Sequence, residues 1–242
     1  MNWICHSSRL RFFAQAPVEL GGWQFLCDLR DSISKEVCFT GRYEILETKL
    51  LQRLLRSGMN FIDVGANWGY FSLLASHRIG PTGRVLALEP DPRMFEVLQA
   101  NITRNSIENI FAKQIAAADT IDTRSFLGFN ESEGNFGVSR LGEKSLGGAD
   151  VFQANLQPLD MLADQHFLRE VDVVKIDVEG AEDLVLEGMK RGLRSKRYRC
   201  ILLELHPSLL QAREKSVESV VSILQDAGYS GHIRHITRPC AR

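Results

Sequence analysis

A glycine-rich turn followed by an acidic residue is the first part of this sequence whose residue types suit ligand binding. Residues 61–72 read F-I-D-V-G-A-N-W-G-Y-F-S, with Asp63 near the end of a short apolar run and Gly65 and Gly69 after it. Glycine permits a sharp turn and a close backbone approach, and the helix that follows begins with unsatisfied N–H groups. Glu89, about twenty residues further on, is placed to accept both hydroxyls of a ribose.

The spacing of the glycines separates two classes of nucleotide ligand. Dinucleotide-binding turns read G-x-G-x-x-G, and their middle glycine lets a pyrophosphate approach the backbone. Residues 65–69 read G-A-N-W-G and lack that glycine. The turn therefore favours a nucleoside without phosphates, and S-adenosylmethionine, with its adenosine, sulfonium and amino-acid tail, fits. Taken singly, the glycines only make a turn and Glu89 only caps a helix, but the combination favours a ligand site.

A second group of ionisable residues follows two later apolar runs. Asp177 and Glu179 come after V-D-V-V-K-I, and His206 follows I-L-L-E-L. In a parallel sheet such positions lie at the same edge as the glycine turn. Methyl transfer needs an aligned nucleophile, and a hydroxyl nucleophile gains from a general base. Asp177, Glu179 and His206 are the candidates, His206 because its ordinary pKa lies near neutrality.

Each of these three residues also has an alternative role. Glu179 fits as a cap of the next helix, since acids stabilise helix N-termini. Asp177 fits as a partner of the cofactor's amine, and His206 fits as a turn residue. The two acids, together with Glu204, are of the type that binds divalent cations, but we predict no metal here. Lys175 is assigned no chemistry, and its amine is expected at the rim of a helix-covered face.

The elements that must position these residues alternate between strands and helices. Strands are predicted at 61–64, 85–88, 111–117, 171–176 and 200–205, and helices at 43–56, at 70–79, from Asp91 onward, at 181–192 and between 217 and 228. Such alternation predicts an α/β fold with a doubly wound, mostly parallel sheet and helices on both faces. Residues 119–150 are predicted to be a pair of short strands with a long loop, or a loop alone, and 232–236 a last strand.

Length and composition are those of one globular domain with a short extension. The chain has 242 residues, of which 44% are hydrophobic, and a formal net charge of −1. This balance gives no electrostatic footprint for nucleic acid. We predict an N-terminal extension of short strands or a hairpin at 1–42 and a single domain at 43–242, and we make no prediction of oligomeric state.

Cysteine spacing and hydropathy indicate the setting. The five cysteines are scattered and form no C-x-x-C, which argues against a disulfide framework and a structural zinc site. No apolar run reaches the about 18 residues of a membrane span, and the N-terminus lacks the pattern of a secretory signal. We expect a cytoplasmic protein without a membrane span.

Several of these segments together resemble the FkbM family of S-adenosylmethionine-dependent methyltransferases. Besides D-V-G-A-N-W-G-Y-F-S, the matching segments are G-R-Y-E at 41–44, E-P-D-P at 89–92, P-L-D-M-L at 158–162, V-K-I-D-V-E-G-A-E at 174–182 and L-L-E-L-H-P at 202–207. The segment at 174–182 is the most specific of them. The resemblance implies a class I methyltransferase (Rossmann-like) fold whose seven-stranded sheet ends in an antiparallel strand.

The resemblance also implies which residues contact the cofactor. The residues implied are Asp63, Gly65, Ala66, Asn67 and Gly69 around the methionine part, Glu89 at the ribose, Ala116 at the adenine and Asp177 at the amine. Tyr43 and Glu44 are implied to cover the cofactor or to contact the methyl acceptor, although a simple helix start explains them equally well. The tail T-R-P-C-A-R leaves little room for a complete seventh strand.

The expected activity is methyl transfer to a hydroxyl oxygen of a small molecule such as a sugar or a polyketide. An N-P-P-Y or D-P-P-Y segment, which holds an amino nitrogen, does not occur, and residues 177–180 read D-V-E-G. Two alternatives stay open. One is an NAD-type oxidoreductase or epimerase on a related sheet, and the other is a non-catalytic protein that binds S-adenosylmethionine.

Overall fold

The structure, a computed structural model, describes residues 11–128, 139–142 and 150–232. Its strands are β1 (Arg11–Gln15), β2 (Gln24–Asp28), β3 (Asn60–Val64), β4 (Arg84–Leu88), β5 (Ile110–Lys113), β6 (Ala116–Ala118), β7 (Asp122–Leu127), β8 (Arg140–Leu141), β9 (Val151–Pro158), β10 (Val171–Ile176) and β11 (Tyr198–Leu203). Its α-helices are α1 (Ser32–Thr40), α2 (Ile45–Leu54), α3 (Tyr70–Ile79), α4 (Pro92–Arg104), α5 (Leu159–Gln165), α6 (Glu182–Glu187), α7 (Lys190–Arg194), α8 (Pro207–Ala212) and α9 (Val217–Asp226). None of these helices is long and apolar enough to cross a membrane.

The central sheet is parallel throughout the part of the chain that the structure describes. Its strand order is β11-β10-β3-β4-β5, so the chain runs outward from β3 to one side and then returns to the other. Val64 pairs with Leu88 on one side and with Ile176 on the other. The carboxyl ends of β3, β4 and β10 are therefore level, and the residues that follow them meet at one edge.

Alternation along the strands divides the core into two hydrophobic clusters. On β3, Phe61 belongs to the cluster that contains α2, α3 and α4, whereas Ile62 and Val64 belong to the cluster that contains α5 to α9. Successive side chains of a strand point to opposite faces, so a strand that is apolar at both positions is covered on both faces. The predicted doubly wound α/β sheet is confirmed.

The N-terminal residues form a hairpin that packs into the first of these clusters. Strands β1 and β2 are antiparallel, and Trp23 and Phe25 are buried against Tyr70 of α3, whereas Cys27 is buried beside Cys38 of α1. Backbone N–H groups of β2 donate to α4, that of Leu26 to Asn101 Oδ1 at 2.7 Å. These side-chain acceptors satisfy an edge strand that would otherwise be open to pairing. The domain boundary at residue 42 stays a prediction.

A second sheet stands beside the first and comes from the segment for which the sequence left two alternatives. Its order is β6-β9-β7-β8, with β6 parallel to β9 and the other pairs antiparallel. Phe126, Ala154 and Leu156 form its small buried cluster. The alternative with a pair of short strands is therefore confirmed for the described residues between 119 and 150, which contain β7 and β8.

Three predicted elements differ from the structure. The strand expected at 111–117 is two strands, β5 and β6, that belong to different sheets. The turn between them has no sequence signal, because this segment contains neither Gly nor Pro. The helix expected at 181–192 is two short helices that break at Gly188, where a Cβ would lie 1.9 Å from the carbonyl oxygen of Ala118. Residues 32–40, expected as extension, form helix α1, which Asp31 caps by accepting the N–H of Ser34.

One further prediction lies almost wholly beyond what is described. The strand expected at 232–236 falls outside the described residues from position 233 onward. The sheet contains five strands within the described ranges. The seventh, antiparallel strand implied by the family resemblance therefore stays a prediction.

The hairpin's contribution to stability can be measured through Phe25. This side chain is fully buried, and its ring centroid lies 6.2 Å from that of Trp68 and 6.3 Å from that of Tyr70. We expect Phe25→Ala to lower the free energy of unfolding by about 3–5 kcal/mol, as large-to-small changes in cores do. Phe12→Ala, on the same hairpin at 38% exposure, should change it by about 0.5 kcal/mol. Equal effects in urea denaturation would show that the hairpin is not part of the core.

Candidate active site at the carboxyl edge of the central sheet

The glycine turn after β3 lies directly against the loop after β10. Gly65 has a φ of +81°, and a Cβ at this position would lie 1.9 Å from the carbonyl oxygen of Asp177. The N–H of Asp177 donates to the carbonyl of Val64 at 3.0 Å. Only glycine combines this left-handed conformation with so close an approach, so Gly65 brings the two predicted site segments together.

The backbone N–H groups of the turn are satisfied within the protein. Those of Gly65 and Ala66 donate to the carbonyl of Leu88 at 3.0 and 2.9 Å, and that of Gly69 donates to the carbonyl of Ala66 at 2.8 Å. The N–H of Asn67 donates to Glu89 Oε2 at 2.7 Å. The residues of the turn therefore hold its shape rather than offer a row of donors to a phosphate.

Asp63 is buried beneath the turn rather than at the open cleft. Its Oδ2 accepts the hydroxyl of Ser72 at 2.6 Å, and its Oδ1 has no hydrogen-bond partner among the described residues. Burial raises the pKa of Asp63, while the ammonium of Lys175 and the Ser72 hydroxyl lower it. Lys175 pairs with Asp63 in the register of β10 and β3, so the two side chains lie on the same face of the sheet.

Lys175 is a charged residue inside an apolar strand, and its amine is not at the rim as expected. It is 5% exposed, its Nζ lies 3.0 Å from Asp177 Oδ2, and it stands 4.7 Å above the ring centroid of Phe71. Burial lowers the pKa of Lys175, but the carboxylates of Asp177, Asp63 and Glu44 outweigh burial and raise it. The ammonium group therefore stays charged and balances the acids around it.

Glu89 lies at the end of β4 with both of its carboxyl oxygens turned to the backbone. Oε2 accepts the N–H of Asn67 at 2.7 Å, and Oε1 accepts the N–H of Asp91 at 2.9 Å. Burial raises the pKa of Glu89 from 4.5 to about 8, against these two donors, which lower it. Each oxygen keeps acceptor capacity for a further donor. As predicted, Asp91 caps α4 by accepting the N–H of Arg93.

An open cleft of about 570 Å³ runs along this edge of the sheet. Of the predicted residues, it is lined by Gly65, Glu89, Ala116, Asp177 and Glu179. Asp63, Ala66, Asn67, Gly69 and His206 are not part of its lining. Asp63 lies on β3 beneath the turn, Ala66, Asn67 and Gly69 belong to the turn itself, and His206 lies beside Asp177 and Glu179.

The opposite wall of the cleft comes from the second sheet. Its larger apolar side chains are Phe126, Leu141 and Leu156, and the alanines of β6 and Ser139 also line this wall. The cleft therefore has an acidic side, formed by the loops of the central sheet, and an apolar side. The sequence analysis did not identify these wall residues, because the pattern of residues 119–150 did not determine which face of each strand is buried.

Asp177, Glu179 and His206 form one cluster, as the sequence predicted. Nε2 of His206 lies 3.5 Å from Glu179 Oε2 and 3.8 Å from Asp177 Oδ1. Its Nδ1 lies 2.8 Å from Oε1 of Glu182, a residue that the prediction did not include. Burial raises the pKa of Glu179, and the imidazole of His206 lowers it.

The pKa of His206 differs from the near-neutral value that suggested it as a base. Burial lowers its pKa, but the hydrogen bond to Glu182 and the carboxylates of Glu179 and Asp177 outweigh burial and raise it from 6.5 to about 9. Below that pH the ring is an imidazolium in the ligand-free protein. This raised pKa depends on tertiary packing, because Glu182 is 24 residues from His206 in the sequence.

The same cluster has the spacing of a metal-binding group. Ligand atoms of Asp177, Glu179 and His206 all lie within 4.8 Å of one another. Cations of the protein already explain this proximity, since Lys175 pairs with Asp177 and the imidazolium of His206 faces both acids. We interpret the cluster as an ion-pair network and assign no metal to it.

The residues around the cleft fit S-adenosylmethionine. Its ribose hydroxyls would need an acceptor such as Glu89, and its sulfonium and ammonium groups would need nearby carboxylates such as Asp177 and Glu179. Gly65 adds no side chain to the lining of the cleft. A pyrophosphate would meet carboxylates and N–H groups that are already in use.

A doubly wound parallel sheet with a glycine turn after β3 and a carboxylate after β4 at one cleft is the α/β fold expected of a class I methyltransferase. The profile of the family described as "Methyltransferase FkbM domain" matches residues 63–230. The chain belongs to this family, and the methyl donor is S-adenosylmethionine.

The chain is also similar to individual proteins and to a solved structure. The chain is 26% identical over 212 residues to "Methyltransferase sdnD" of Sordaria araneosa, covering 77% of this chain and 75% of that protein. It is 29% identical over 206 residues to "AMB antimetabolite synthetase AmbE" of Pseudomonas aeruginosa, covering 72% of this chain but only 10% of that protein. A crystal structure of methyltransferase FkbM from Methylobacillus flagellatus has 16% identity and a TM-score of 0.46, covering 75% of this chain and 45% of that one.

Gly65→Ala tests the contact that joins the two site segments. The added methyl group would meet the Asp177 carbonyl, so we expect S-adenosylhomocysteine to bind at least tenfold more weakly, about 1.4 kcal/mol, in titration calorimetry. Gly58 is the matched control, because it also has a φ of +81° but its added Cβ would lie 3.7 Å from the nearest atom. Gly58→Ala should carry only the strain of the left-handed conformation, about 1–2 kcal/mol of stability. Equal binding by both variants would exclude this role of Gly65.

Proposed function

We propose that the protein transfers a methyl group from S-adenosylmethionine to a hydroxyl oxygen of a small molecule. The observation that carries this proposal is the pair of carboxylates, Asp177 and Glu179, on one side of a cleft whose other side is apolar. An acceptor with an apolar body and a reactive hydroxyl group suits such a cleft. Sugars carrying apolar groups, polyketides and similar metabolites have this chemistry.

The cofactor end of the cleft is assigned to the residues of the glycine turn and of β4. When bound, S-adenosylmethionine supplies an electrophilic methyl group on a cationic sulfur. Glu89 accepts the ribose hydroxyls, Ala116 lies at the adenine, and Asp177 takes the ammonium. Ala66, Asn67 and Gly69 keep the turn in shape, and Asp63 beneath them adds negative charge under the methionine part.

The acceptor's proton is assigned to the acidic cluster. Glu179 lines the cleft, and its pKa is raised by burial, so it is a stronger base than an exposed glutamate. His206 stands behind it, with Nε2 at 3.5 Å, and its imidazolium forms an ion pair with the Glu179 carboxylate until Glu179 accepts the hydroxyl proton. Asp177, whose Oδ2 lies 3.0 Å from Lys175 Nζ, orients the pair.

The alternative of an NAD-type oxidoreductase or epimerase is less compatible with the turn. A pyrophosphate needs N–H donors, but the N–H groups of Gly65, Ala66, Asn67 and Gly69 donate to protein carbonyls or to Glu89. The second alternative, a non-catalytic binding protein, predicts cofactor binding without product. An assay for methylated product separates it from the proposed enzyme.

The direct test is a screen with S-adenosylmethionine that carries a carbon-13 methyl group. A panel of small sugars and polyketide-like compounds with free hydroxyl groups is incubated with the full chain, and the carbon shift of new methyl signals is recorded. We expect signals of O-methyl groups. If only C-methyl or N-methyl signals were found, the acceptor atom would be carbon or nitrogen and not a hydroxyl oxygen. Binding without any product would favour the non-catalytic alternative.

Glu89 makes cofactor affinity depend on pH. Ribose hydroxyls donate to the ionised carboxylate, but a pKa of about 8 leaves Glu89 mostly protonated at pH 7 in the free protein. Binding should therefore release a proton, and the affinity for S-adenosylhomocysteine should rise between pH 7 and 9. Glu89→Ala should weaken binding at least tenfold, about 1.4 kcal/mol, and remove this rise.

The matched control for Glu89 is Glu96→Ala, an exposed acid on α4. It should leave both the affinity and its pH dependence unchanged in titration calorimetry at several pH values. If Glu89→Ala bound as tightly as the wild type, the ribose assignment would be wrong. If the affinity of the wild type did not change between pH 7 and 9, Glu89 could not be a neutral carboxyl group in the free protein.

His206→Ala should separate chemistry from cofactor binding. We expect labelled methyl incorporation to fall at least tenfold, because the carboxylates lose their proton partner, while the affinity for S-adenosylhomocysteine changes by less than about twofold. His166 lies at the opposite edge of the sheet, where its carbonyl contacts Arg84, and His166→Ala is the control. Full methyl incorporation by His206→Ala would remove this residue from the mechanism.

A further inference from the structure

Glu182 is a buried carboxylate to which the proposed mechanism gives no role. It is the first residue of α6 and is fully buried. Its Oε1 lies 2.8 Å from Nδ1 of His206 and accepts the N–H of Gly180 at 3.0 Å. Its Oε2 has no hydrogen-bond partner in the described part of the chain. A buried carboxylate is costly unless a cation compensates it, and His206 is its ion-pair partner.

The backbone of residues 179–182 is shaped for this contact. Glu179 and Gly180 are consecutive left-handed residues, with φ of 50° and 88°. A Cβ at Gly180 would lie 2.5 Å from the Cβ of Leu209 on α8, so glycine lets α8 approach α6. The turn sends the side chain of Glu179 to one nitrogen of His206 and the side chain of Glu182 to the other.

A second ion pair joins the same two helices. Arg213, the C-terminal cap of α8, lies 2.6 Å from Asp183 on α6. His206 precedes the first residue of α8, so the two ion pairs hold both ends of this short helix against the start of α6. The contact between Glu182 and His206 therefore belongs to a built interface between helices and is not a chance approach of mobile side chains.

The two nitrogens of His206 face different surroundings. Nδ1 faces Glu182, which as a carboxylate only accepts hydrogen bonds, so Nδ1 must carry a hydrogen. Nε2 faces Glu179 and Asp177, which line the cleft. When the ring loses one proton, the Glu182 contact keeps the hydrogen on Nδ1 and leaves the lone pair of Nε2 toward the cleft acids.

We propose that Glu182 is a positioning residue that fixes the ring orientation and the tautomer of His206, so that Nε2 exchanges protons with Glu179 and Asp177. This proposal rests on the proposed function only for the catalytic role of His206. Glu182 itself does not touch the cleft. Its role is that of the third group that orients a base in other enzymes.

Within the described residues, the charged groups that act on His206 are carboxylates. Glu182 faces it from α6, Asp177 and Glu179 face it from the loop after β10, and Glu204, at the end of β11, acts on Glu179. Removal of the charge of Glu182 therefore leaves the other carboxylates in place. The pKa of His206 should fall in such a variant but stay above its ordinary value.

The test is nuclear magnetic resonance of the full chain labelled with nitrogen-15 histidine, without any acceptor. The signals of His206 are identified by their loss in His206→Gln. In the wild type, we expect the neutral ring above its pKa to carry its hydrogen on Nδ1, whereas free histidine prefers Nε2. Glu182→Gln should lower the pKa of His206 by at least about one unit, and Glu182→Leu should remove the preference for Nδ1.

Glu187→Gln is the matched control, because Glu187 ends the same helix with its side chain 35% exposed and pairs with Lys190. It should leave the titration and the tautomer of His206 unchanged. If Glu182→Gln shifted the titration no more than Glu187→Gln, or if wild-type His206 carried its hydrogen on Nε2, the proposal would be overturned. The wild-type measurement decides the matter even if the Glu182 variants fail to fold.

This experiment fails or succeeds independently of the methyl acceptor. A confirmed Nδ1 tautomer with no O-methyl product in the screen would contradict only the proposed function. An O-methyl product with the Nε2 tautomer would contradict only the role of Glu182.

Discussion

The rest of the site depends on the electrostatic interaction between the ammonium group of Lys175 and the carboxyl groups around it. Parallel strands deliver several acids to one edge of the sheet, where Asp63 lies on β3 and Asp177 follows the adjacent strand β10. The charge of Asp177 raises the pKa of Asp63, and neighbouring like charges favour the neutral form of one acid unless a cation compensates them. The ammonium, buried and beside the ring of Phe71, supplies that charge from inside the sheet. The cleft can thus stay acidic, as a cationic cofactor requires.

The second constraint is close packing of backbone at glycines. Gly65 and Gly180 each remove a side chain where two segments meet, the first between the loops after β3 and β10, the second between α6 and α8. Asn101 extends this connection outward, because its amide donates to the carbonyl of Trp68 and its oxygen accepts from the hairpin at Leu26. The N-terminal hairpin therefore supports the turn at which the cofactor is expected, although it contributes no side chain to the cleft lining.

Local sequence was enough for the parts of the fold that local physics determines. Apolar runs, the glycine turn and the Asp91 cap each signal their structure within a few residues, and parallel strand order places their ends together. The break between β5 and β6 has no local marker, so one predicted strand became two. The environment of His206 depends on Glu182, and that of Lys175 on Asp63, which comes from a strand more than a hundred residues earlier. Such partners are fixed by tertiary packing, and neither the pKa of His206 nor the burial of Lys175 was predicted from sequence.

The two walls of the cleft have separate structural origins. The acidic wall belongs to strands held in register by the central sheet, whereas the apolar wall belongs to a small sheet with its own cluster around Phe126 and Leu156. Mutations in the small sheet can alter the shape of that wall while the strands that carry Glu89 and Asp177 stay in place. Substitutions during evolution can thus change which acceptor molecules the cleft binds while the residues expected to bind the methyl donor stay the same.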